Sequence, residues 1–249
     1  MGSAGLPERR SDSVKIVPMN KLNLQAIMID LDGTLVDTIG DFEVALNRAL
    51  ADVDVAPASR ALIERSIGKG SEHLIRTVLA HQLAQSGASD AAHDAAALAT
   101  PVWQRYEHHY LAINGAYSAL FPGVLQGLDQ LKALGLPLAC LTNKPLSFTQ
   151  PLLAAKGLAA YFAHVFGGDS FERKKPDPLP LIKTCEALQS APAHTLMVGD
   201  SSNDAQAADA AGCPVVLMTY GYNHGEPIRN TPARAWLDSL AHLPDLLTA

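Results

Sequence analysis

A short apolar run that ends in two acidic residues restricts the possible folds of this chain more than any other feature. Residues 26–29 read Ala-Ile-Met-Ile, and Asp30, Leu31, Asp32 and Gly33 follow them. A continuous apolar run of this length is typical of a strand that is buried on both faces of a parallel sheet. Ligands of such sheets bind beyond the carboxyl ends of the strands, and Gly33 allows a sharp turn there. The sequence therefore predicts an α/β fold in which both carboxylates reach one crevice.

Two neighbouring carboxylates at a strand end suit phosphate chemistry. In different environments, Asp30 can be ionised and act as a nucleophile while Asp32 is protonated and acts as an acid. The same residues are also compatible with a strand that ends in a solvated Asp-Gly turn, because both residue types are common in turns. The polar residues at the ends of the other predicted strands therefore distinguish between phosphate chemistry and a solvated turn.

Two further segments carry groups that suit a bound phosphate. Residues 136–141 form an apolar run before Thr142 and Asn143, whose hydroxyl and amide groups can donate hydrogen bonds to phosphate oxygens. Lys175 precedes Pro176, and a proline at the start of a helix would hold this lysine at the mouth of the sheet. A fixed ammonium there offsets the negative charge of phosphate and aspartate.

A third segment suits a metal ion. The apolar residues 195–198 run into Asp200, and Asp204 enters the first turn of an alanine-rich helix. Magnesium prefers hard oxygen ligands and is usually held by one or two carboxylates together with substrate phosphate. The segment therefore predicts a magnesium site at the same edge of the sheet.

Taken together and in this order, these segments resemble the motifs of the haloacid dehalogenase superfamily, in its phosphatase branch. The resemblance extends from about Asn23 onward and is closest to the bacterial phosphoglycolate phosphatases. It is supported by L-F-P-G-V at 120–124, L-T-N-K-P at 141–145, K-P-D-P-L-P at 175–180 and T-Y-G-Y-N-H-G-E-P at 219–227. The resemblance implies a doubly wound, Rossmann-like parallel-sheet core with an inserted α-helical cap of type I. It also implies magnesium-dependent hydrolysis of a small phosphate monoester, 2-phosphoglycolate, to glycolate and phosphate.

The resemblance implies a role for each residue of the motifs. Asp30 would attack phosphorus and form an aspartyl phosphate, and Asp32 would protonate the departing alkoxide and later activate water. Thr142 and Lys175 would hold the transferring group, with Asn143 contributing to substrate binding.

The resemblance also implies a set of metal ligands. These would be Asp30, the backbone carbonyl of Asp32, Asp200, and Asp204 either directly or through water.

The spacing of the strands predicts an inserted domain. Asp30 and Thr142 are much farther apart than one crossover of about 30 residues requires. The helical periodicity between them predicts that the inserted domain is helical. It resembles the type I cap of the superfamily, which opens and closes, and this resemblance implies a cap over residues 40–116 with candidate hinges at Gly40 and at 114–118. The other expected boundaries are a tail at 1–22 and a core formed by 23–39 and 117–249. Core strands are expected near Ala26, Leu136, His164, Thr195 and Val215.

The cap has to select the leaving group, because the core chemistry serves any phosphate monoester. Gly68, Lys69 and Gly70 are the predicted substrate-binding residues of the cap. Their backbone N-H groups and the helix that begins at Ser71 can face an anion, and Lys69 or Arg65 can meet the carboxylate of phosphoglycolate. A helix-helix turn with a solvated lysine remains an equal alternative.

Several other residues are predicted to be structural. Aspartates favour helix caps and first helical turns, which is the expected role of Asp37, Asp41 and Asp177. Helical spacing predicts that the aromatic residues of the last cap helix form its core; they are Trp103, Tyr106 and Tyr110.

Composition limits the partners and the location. The net charge of -6 argues against nonspecific binding to nucleic acid. Three scattered cysteines predict buried thiols in a reducing cytosol and no disulfide framework. No run is long enough to span a membrane. We therefore expect a cytoplasmic monomer or homodimer whose partner is a small anionic phosphate ester.

Three other functions remain open at this stage. The nearest is a phosphatase with the same core and another small substrate. A β-phosphoglucomutase-like isomerase would use the same aspartyl phosphate, and a noncatalytic binding protein would keep only the fold. Asp32 disfavours a dehalogenase, because that branch typically has no aspartate at the matching position. A phosphonatase would use a cap lysine, for which Lys69 is the candidate.

Overall fold

The computed structural model describes residues 23–87 and 90–248. The expected tail, residues 1–22, lies outside the described residues. The first elements are β1 (Ala26–Ile29), β2 (Val36–Asp37), α1 (Ile39–Ala51), α2 (Arg60–Ser66), α3 (Ser71–Gln85) and α4 (Ala91–Ile113). The elements that follow are β3 (Ala119–Leu120), α5 (Val124–Ala133), β4 (Leu138–Leu141), α6 (Leu146–Ala155), β5 (His164–Phe166), α7 (Leu179–Ala187), β6 (Thr195–Gly199), α8 (Ser202–Ala211), β7 (Val215–Met218), β8 (Ala235–Leu237) and α9 (Leu243–Thr248).

A parallel sheet with the strand order β5-β4-β1-β6-β7-β8 forms the centre of the core. Strand β1 lies between β4 and β6, and Ile29 pairs with both Cys140 and Val198. The carboxyl ends of these strands therefore coincide, as the apolar runs predict. The doubly wound α/β core is confirmed.

Helices cover both faces of the sheet because successive side chains of each strand point to opposite faces. Ile27 and Ile29 pack in one cluster with side chains of α5, α6 and α9, whereas Ala26 and Met28 pack in another with α7 and α8. The strand is completely buried, which explains its continuous apolar sequence.

Helices α1 to α4 form the inserted cap. Their apolar faces share one cluster, in which Tyr106 and Tyr110 are fully buried, as predicted. Phe148 of α6 and Tyr222 of the core belong to the same cluster. The cap is therefore packed against the core. Among the described residues, none of the helices combines the length and the hydropathy that crossing a membrane requires.

The predicted capping acids lie where helices begin. Asp37 accepts a hydrogen bond from the Ile39 backbone N-H (3.3 Å), and Asp177 accepts one from that of Leu179 (2.9 Å). Asp41 lies in the first turn of α1, as predicted, but its carboxylate also joins the two connections between cap and core. It accepts hydrogen bonds from the backbone N-H groups of Gly115 (3.0 Å) and Tyr117 (2.8 Å).

We expect Asp41→Asn to lower the free energy of unfolding by about 1 kcal/mol, because one partly buried backbone N-H group loses its acceptor. Urea unfolding of the variant measures this loss. Asp209→Asn, at an exposed position of α8, is the matched control and should leave stability within about 0.5 kcal/mol of wild type. Equal stabilities of the two variants would show that the Asp41 bonds do not hold the connections.

Candidate active site

Asp30 lies at the carboxyl end of β1, where the sheet fixes its backbone. Its N-H group donates to the Val198 carbonyl (2.9 Å), and its carboxylate accepts from the Leu31 N-H group (2.7 Å). Burial raises the pKa of Asp30 from its ordinary value to about 7, against the opposing effect of the Lys175 ammonium. Asp30 is therefore a poorly solvated carboxylate beside a fixed cation, which suits a nucleophile.

Lys175 is buried and its ammonium is surrounded by acceptors. The Nζ atom lies 2.7 Å from Asp204 Oδ1, 2.9 Å from the Leu141 carbonyl oxygen and 3.1 Å from Asp30 Oδ1. Burial alone would lower the pKa of Lys175, but the ion pairs with Asp204 and Asp30 outweigh it and raise the pKa above its ordinary value. The lysine is thus a permanent positive charge next to Asp30.

The predicted reason for the position of Lys175 was wrong. Helix α7 begins at Leu179, so Pro176 does not lie in its first turn. The lysine is held instead by the buried acceptors around its ammonium.

Asp30, Asp200 and Asp204 form a compact acidic cluster, in which one carboxylate oxygen from each residue lies within 4.8 Å of the others. Asp200 accepts hydrogen bonds from the Thr34 hydroxyl (2.7 Å) and the Tyr222 N-H group (2.6 Å). Burial and the neighbouring carboxylates raise the pKa of Asp200 well above its ordinary value. A bound divalent cation would reduce the repulsion between these carboxylates. Carboxylate oxygens are the hard ligands that a cation such as magnesium prefers.

Glycine residues make room for Asp200. A Cβ atom at Gly33 would lie 2.3 Å from Asp200 Oδ2, and one at Gly221 would lie 2.2 Å from it. Side chains at these positions would displace the carboxylate. The close packing therefore fixes Asp200 at the cluster.

Asp204 uses both oxygens within the protein. Oδ1 accepts from Lys175, whereas Oδ2 accepts from the Ser201 hydroxyl (2.7 Å) and N-H group (3.1 Å) in a capping box at the start of α8. Asp204 was predicted to bind the metal ion either directly or through water, and these hydrogen bonds favour binding through water. Asp204 also positions Lys175 directly.

Lys144 is a residue of the site that the sequence analysis missed. Its Nζ atom lies 2.9 and 3.1 Å from the two carboxylate oxygens of Asp32. It stands two positions after Thr142 in the loop that follows β4, and residues at such spacing in an extended segment share one side. That spacing is the signal in the sequence by which Lys144 could have been found.

The cleft between the core and the cap brings several of the predicted groups together. The core contributes Asp30, Asp32, Thr142, Asn143 and Lys144 to its lining, and the cap contributes Phe42, Ile67, Gly68, Gly70, Ser71 and Leu74. Lys69 and Arg65 are exposed, and neither belongs to this lining. The cap loop therefore faces the cleft through its glycines rather than through its charged side chains.

The side-chain amide of Asn143 forms a hydrogen bond with the cap in this structure. Its Nδ2 atom donates to the Gly68 carbonyl (3.0 Å) and to the Lys175 carbonyl (2.7 Å), so both hydrogens of this nitrogen are used. Asn203 also donates to the Gly68 carbonyl (3.1 Å). Two amides from the core thus hold the predicted substrate-binding loop, which the sequence did not indicate.

Comparisons with known proteins agree with this geometry. A family model described as haloacid dehalogenase-like hydrolase matches residues 24–212. The chain belongs to the haloacid dehalogenase-like hydrolase family, and the expected enzyme class is confirmed.

Relatives within the family carry a more specific name. A phosphoglycolate phosphatase from Thiobacillus denitrificans is 41% identical over 227 residues, which cover 91% of this chain and 97% of the relative. A phosphoglycolate phosphatase from Nitrosospira multiformis is 42% identical over 226 residues, or 91% of this chain and 96% of the relative. A crystal structure described as a predicted phosphoglycolate phosphatase from Haemophilus somnus superposes with a TM-score of 0.84 at 34% identity, and covers 90% of this chain and 98% of that chain.

Proposed function

We propose that this protein hydrolyses 2-phosphoglycolate to glycolate and phosphate, with magnesium as its cofactor. The observation that carries the proposal is that Asp30 and Asp32 line one cleft and that the Lys175 ammonium lies 3.1 Å from Asp30 Oδ1. The names of the relatives support the substrate.

The reaction would proceed in two displacements at phosphorus. Asp30 attacks phosphorus and the bond to the leaving oxygen breaks, while Asp32 donates a proton to that oxygen and glycolate is released. Asp32 then takes a proton from water, the water oxygen attacks phosphorus, and the bond to Asp30 breaks. Phosphate leaves and both carboxylates return to their starting states.

Fixed donors would stabilise the charge that develops during both displacements. The Lys175 ammonium lies 3.1 Å from the nucleophilic carboxylate and needs no rearrangement to interact with a phosphoryl group there. Thr142 lines the same cleft and is only 3% exposed, so its hydroxyl can donate to a phosphate oxygen away from bulk water.

Magnesium would be held by Asp30, Asp200 and the backbone carbonyl of Asp32, with Asp204 acting through water. When bound, the ion supplies positive charge that lowers the repulsion between the phosphate and the acidic cluster. The mutual proximity and burial of the carboxylates support this assignment.

The cap loop would complete the substrate site. Gly68 and Gly70 line the cleft, and the N-terminus of α3 follows them directly. Backbone N-H groups there suit an anion. Lys69 is exposed next to the cleft, where its charge would attract an anionic substrate. A cytoplasmic location and a monomeric or homodimeric state remain predictions.

Initial rates of phosphate release test the proposal. We expect kcat/KM for 2-phosphoglycolate to exceed that for sugar phosphates, phosphoserine, pyrophosphate and phosphonoacetaldehyde by at least about tenfold, because one pocket contact typically discriminates by this factor. Chelation of magnesium should abolish release, and excess magnesium should restore it.

Other outcomes of this panel separate the alternatives. A higher kcat/KM for another ester would retain the phosphatase class and reject the named substrate. Activity that requires a sugar bisphosphate would favour an isomerase. Activity that survives complete removal of divalent ions would reject magnesium as the cofactor.

A further inference from the structure

Lys144 is a buried cation to which the proposed reaction assigns no role. Its side chain has no exposed surface, yet the residue lines the cleft. Within the part of the chain that the structure describes, its ammonium forms hydrogen bonds with Asp32 alone. Lys175, by comparison, is surrounded by three acceptors within 3.1 Å. Of these two buried cations, Lys144 is the one whose single hydrogen-bonding partner, Asp32, has to reach the leaving oxygen during the proposed reaction.

The cap surrounds the Lys144 ammonium with aromatic rings. Its Nζ atom lies 4.4 Å from the ring centroid of Phe42 in α1 and 4.6 Å from that of Tyr110 in α4. Rings at this distance attract a cation and exclude water from it. The ammonium consequently has a defined place when the cap is closed, and that place requires residues of both domains.

Lys144 and the phosphate-binding group Thr142 belong to one loop. The backbone N-H group of Lys144 donates to the Thr142 hydroxyl oxygen (3.2 Å), which fixes one residue relative to the other. A ligand whose phosphate contacts Thr142 has its leaving group on the side of Asp32, because Asp32 must reach the bridging oxygen. The ammonium that now binds Asp32 then lies on the side of the leaving group.

We propose that Lys144 determines specificity by binding the carboxylate of the leaving group, and that Asp32 occupies this place when no substrate is bound. This inference rests on the proposed function and extends it to the substrate class of phosphorylated 2-hydroxy acids. The substrate carboxylate replaces Asp32 as the partner of the ammonium. Asp32 is then released toward the bridging oxygen and takes from solvent the proton that it donates to this oxygen, so a leaving group with a carboxylate both binds and frees the acid.

Two substrates and a small set of variants test this inference. 2-Phosphoglycolate carries a carboxylate where 2-hydroxyethyl phosphate carries a neutral hydroxymethyl group. Lys144→Met removes the charge but keeps an unbranched apolar chain, and Lys144→Arg keeps the charge. Lys69→Ala tests the exposed cap lysine. Lys183→Met, at an exposed position of α7, is the matched control for the chemical change.

We expect Lys144→Met to lower the ratio of the two kcat/KM values, phosphoglycolate over 2-hydroxyethyl phosphate, by about 10- to 100-fold. Most of the selective loss should appear in KM for phosphoglycolate. Lys144→Arg should recover part of the ratio, whereas Lys183→Met should keep the wild-type ratio and Lys69→Ala should lower it less than Lys144→Met does. Circular dichroism of each variant establishes that it is folded.

Two results would overturn the inference. If Lys144→Met and Lys144→Arg lower activity on both substrates equally, Lys144 only positions Asp32 and does not recognise the carboxylate. If Lys69→Ala lowers the ratio instead, the cap lysine is the specificity residue. Rates of the wild-type enzyme test the proposed function separately from the role of Lys144. The proposed function predicts efficient hydrolysis of phosphoglycolate by the wild-type enzyme, whichever lysine recognises the carboxylate.

Discussion

Asp30→Asn is expected to lower kcat for phosphate release by about 10⁴-fold or more, which is the scale of loss when an enzyme loses its nucleophile. The amide has nearly the same shape as the carboxylate but cannot attack phosphorus. Initial-rate measurements give the loss directly. In acid-quenched wild-type enzyme, mass spectrometry should find a phosphoryl group on the peptide that contains Asp30, and this group should be missing from the variant.

The control for this prediction is Asp209→Asn, which makes the same chemical change on an exposed part of α8 and should keep wild-type kcat. If Asp30→Asn retained more than about a tenth of kcat, covalent catalysis by Asp30 would be rejected. A phosphoryl group found on another residue would lead to the same conclusion.

Lys175→Met is expected to destabilise the metal-free protein by about 3–5 kcal/mol at pH 8, and to lower activity as well. Removal of one partner from a buried ion pair leaves an uncompensated charge, and here Asp30 and Asp204 both lose their cation. Urea unfolding in the presence of a chelator measures the change in the free energy of unfolding.

The loss should depend on pH in a defined direction. Burial already raises the pKa of Asp30 to about 7 in the wild-type protein, while the Lys175 ammonium opposes this rise. Without the ammonium, the pKa of Asp30 rises further. At pH 5, Asp30 is protonated in both folded proteins, so the difference in stability should be smaller than at pH 8. Equal losses at the two pH values would mean that the ammonium does not stabilise the ionised acids. Lys183→Met should lose less than about 1 kcal/mol at either pH.

The sequence predicted the parts of the site that follow from local patterns. Each apolar run identifies a buried strand, and the geometry of a parallel sheet then brings Asp30, Thr142 and Asp200 to one edge. The structure supports this reasoning through the register of β1 with β4 and β6. Strand β8, a three-residue edge strand, was not predicted.

The role of Lys144 depends on contacts that no local pattern contains. Asp32, its partner, is 112 positions away in sequence, and the rings of Phe42 and Tyr110 come from the inserted cap. Lys69 is the opposite case, because a local pattern in the sequence did indicate a role for it. It stands between two glycines in a plausible anion-binding loop, but its side chain is exposed outside the lining of the cleft. The spacing of the two glycines in the sequence identified this loop. The direction of the Lys69 side chain, in contrast, depends on how the cap helices pack.

The carbonyl oxygen of Gly68 has a consequence for the opening of the cap. Any movement of the cap away from the core must break the two bonds from Asn143 and Asn203. Net contributions of about 1 kcal/mol for each bond give an opening penalty near 2 kcal/mol from this contact, because water replaces both donors. Taken alone, a penalty of that size corresponds to an open population of a few per cent.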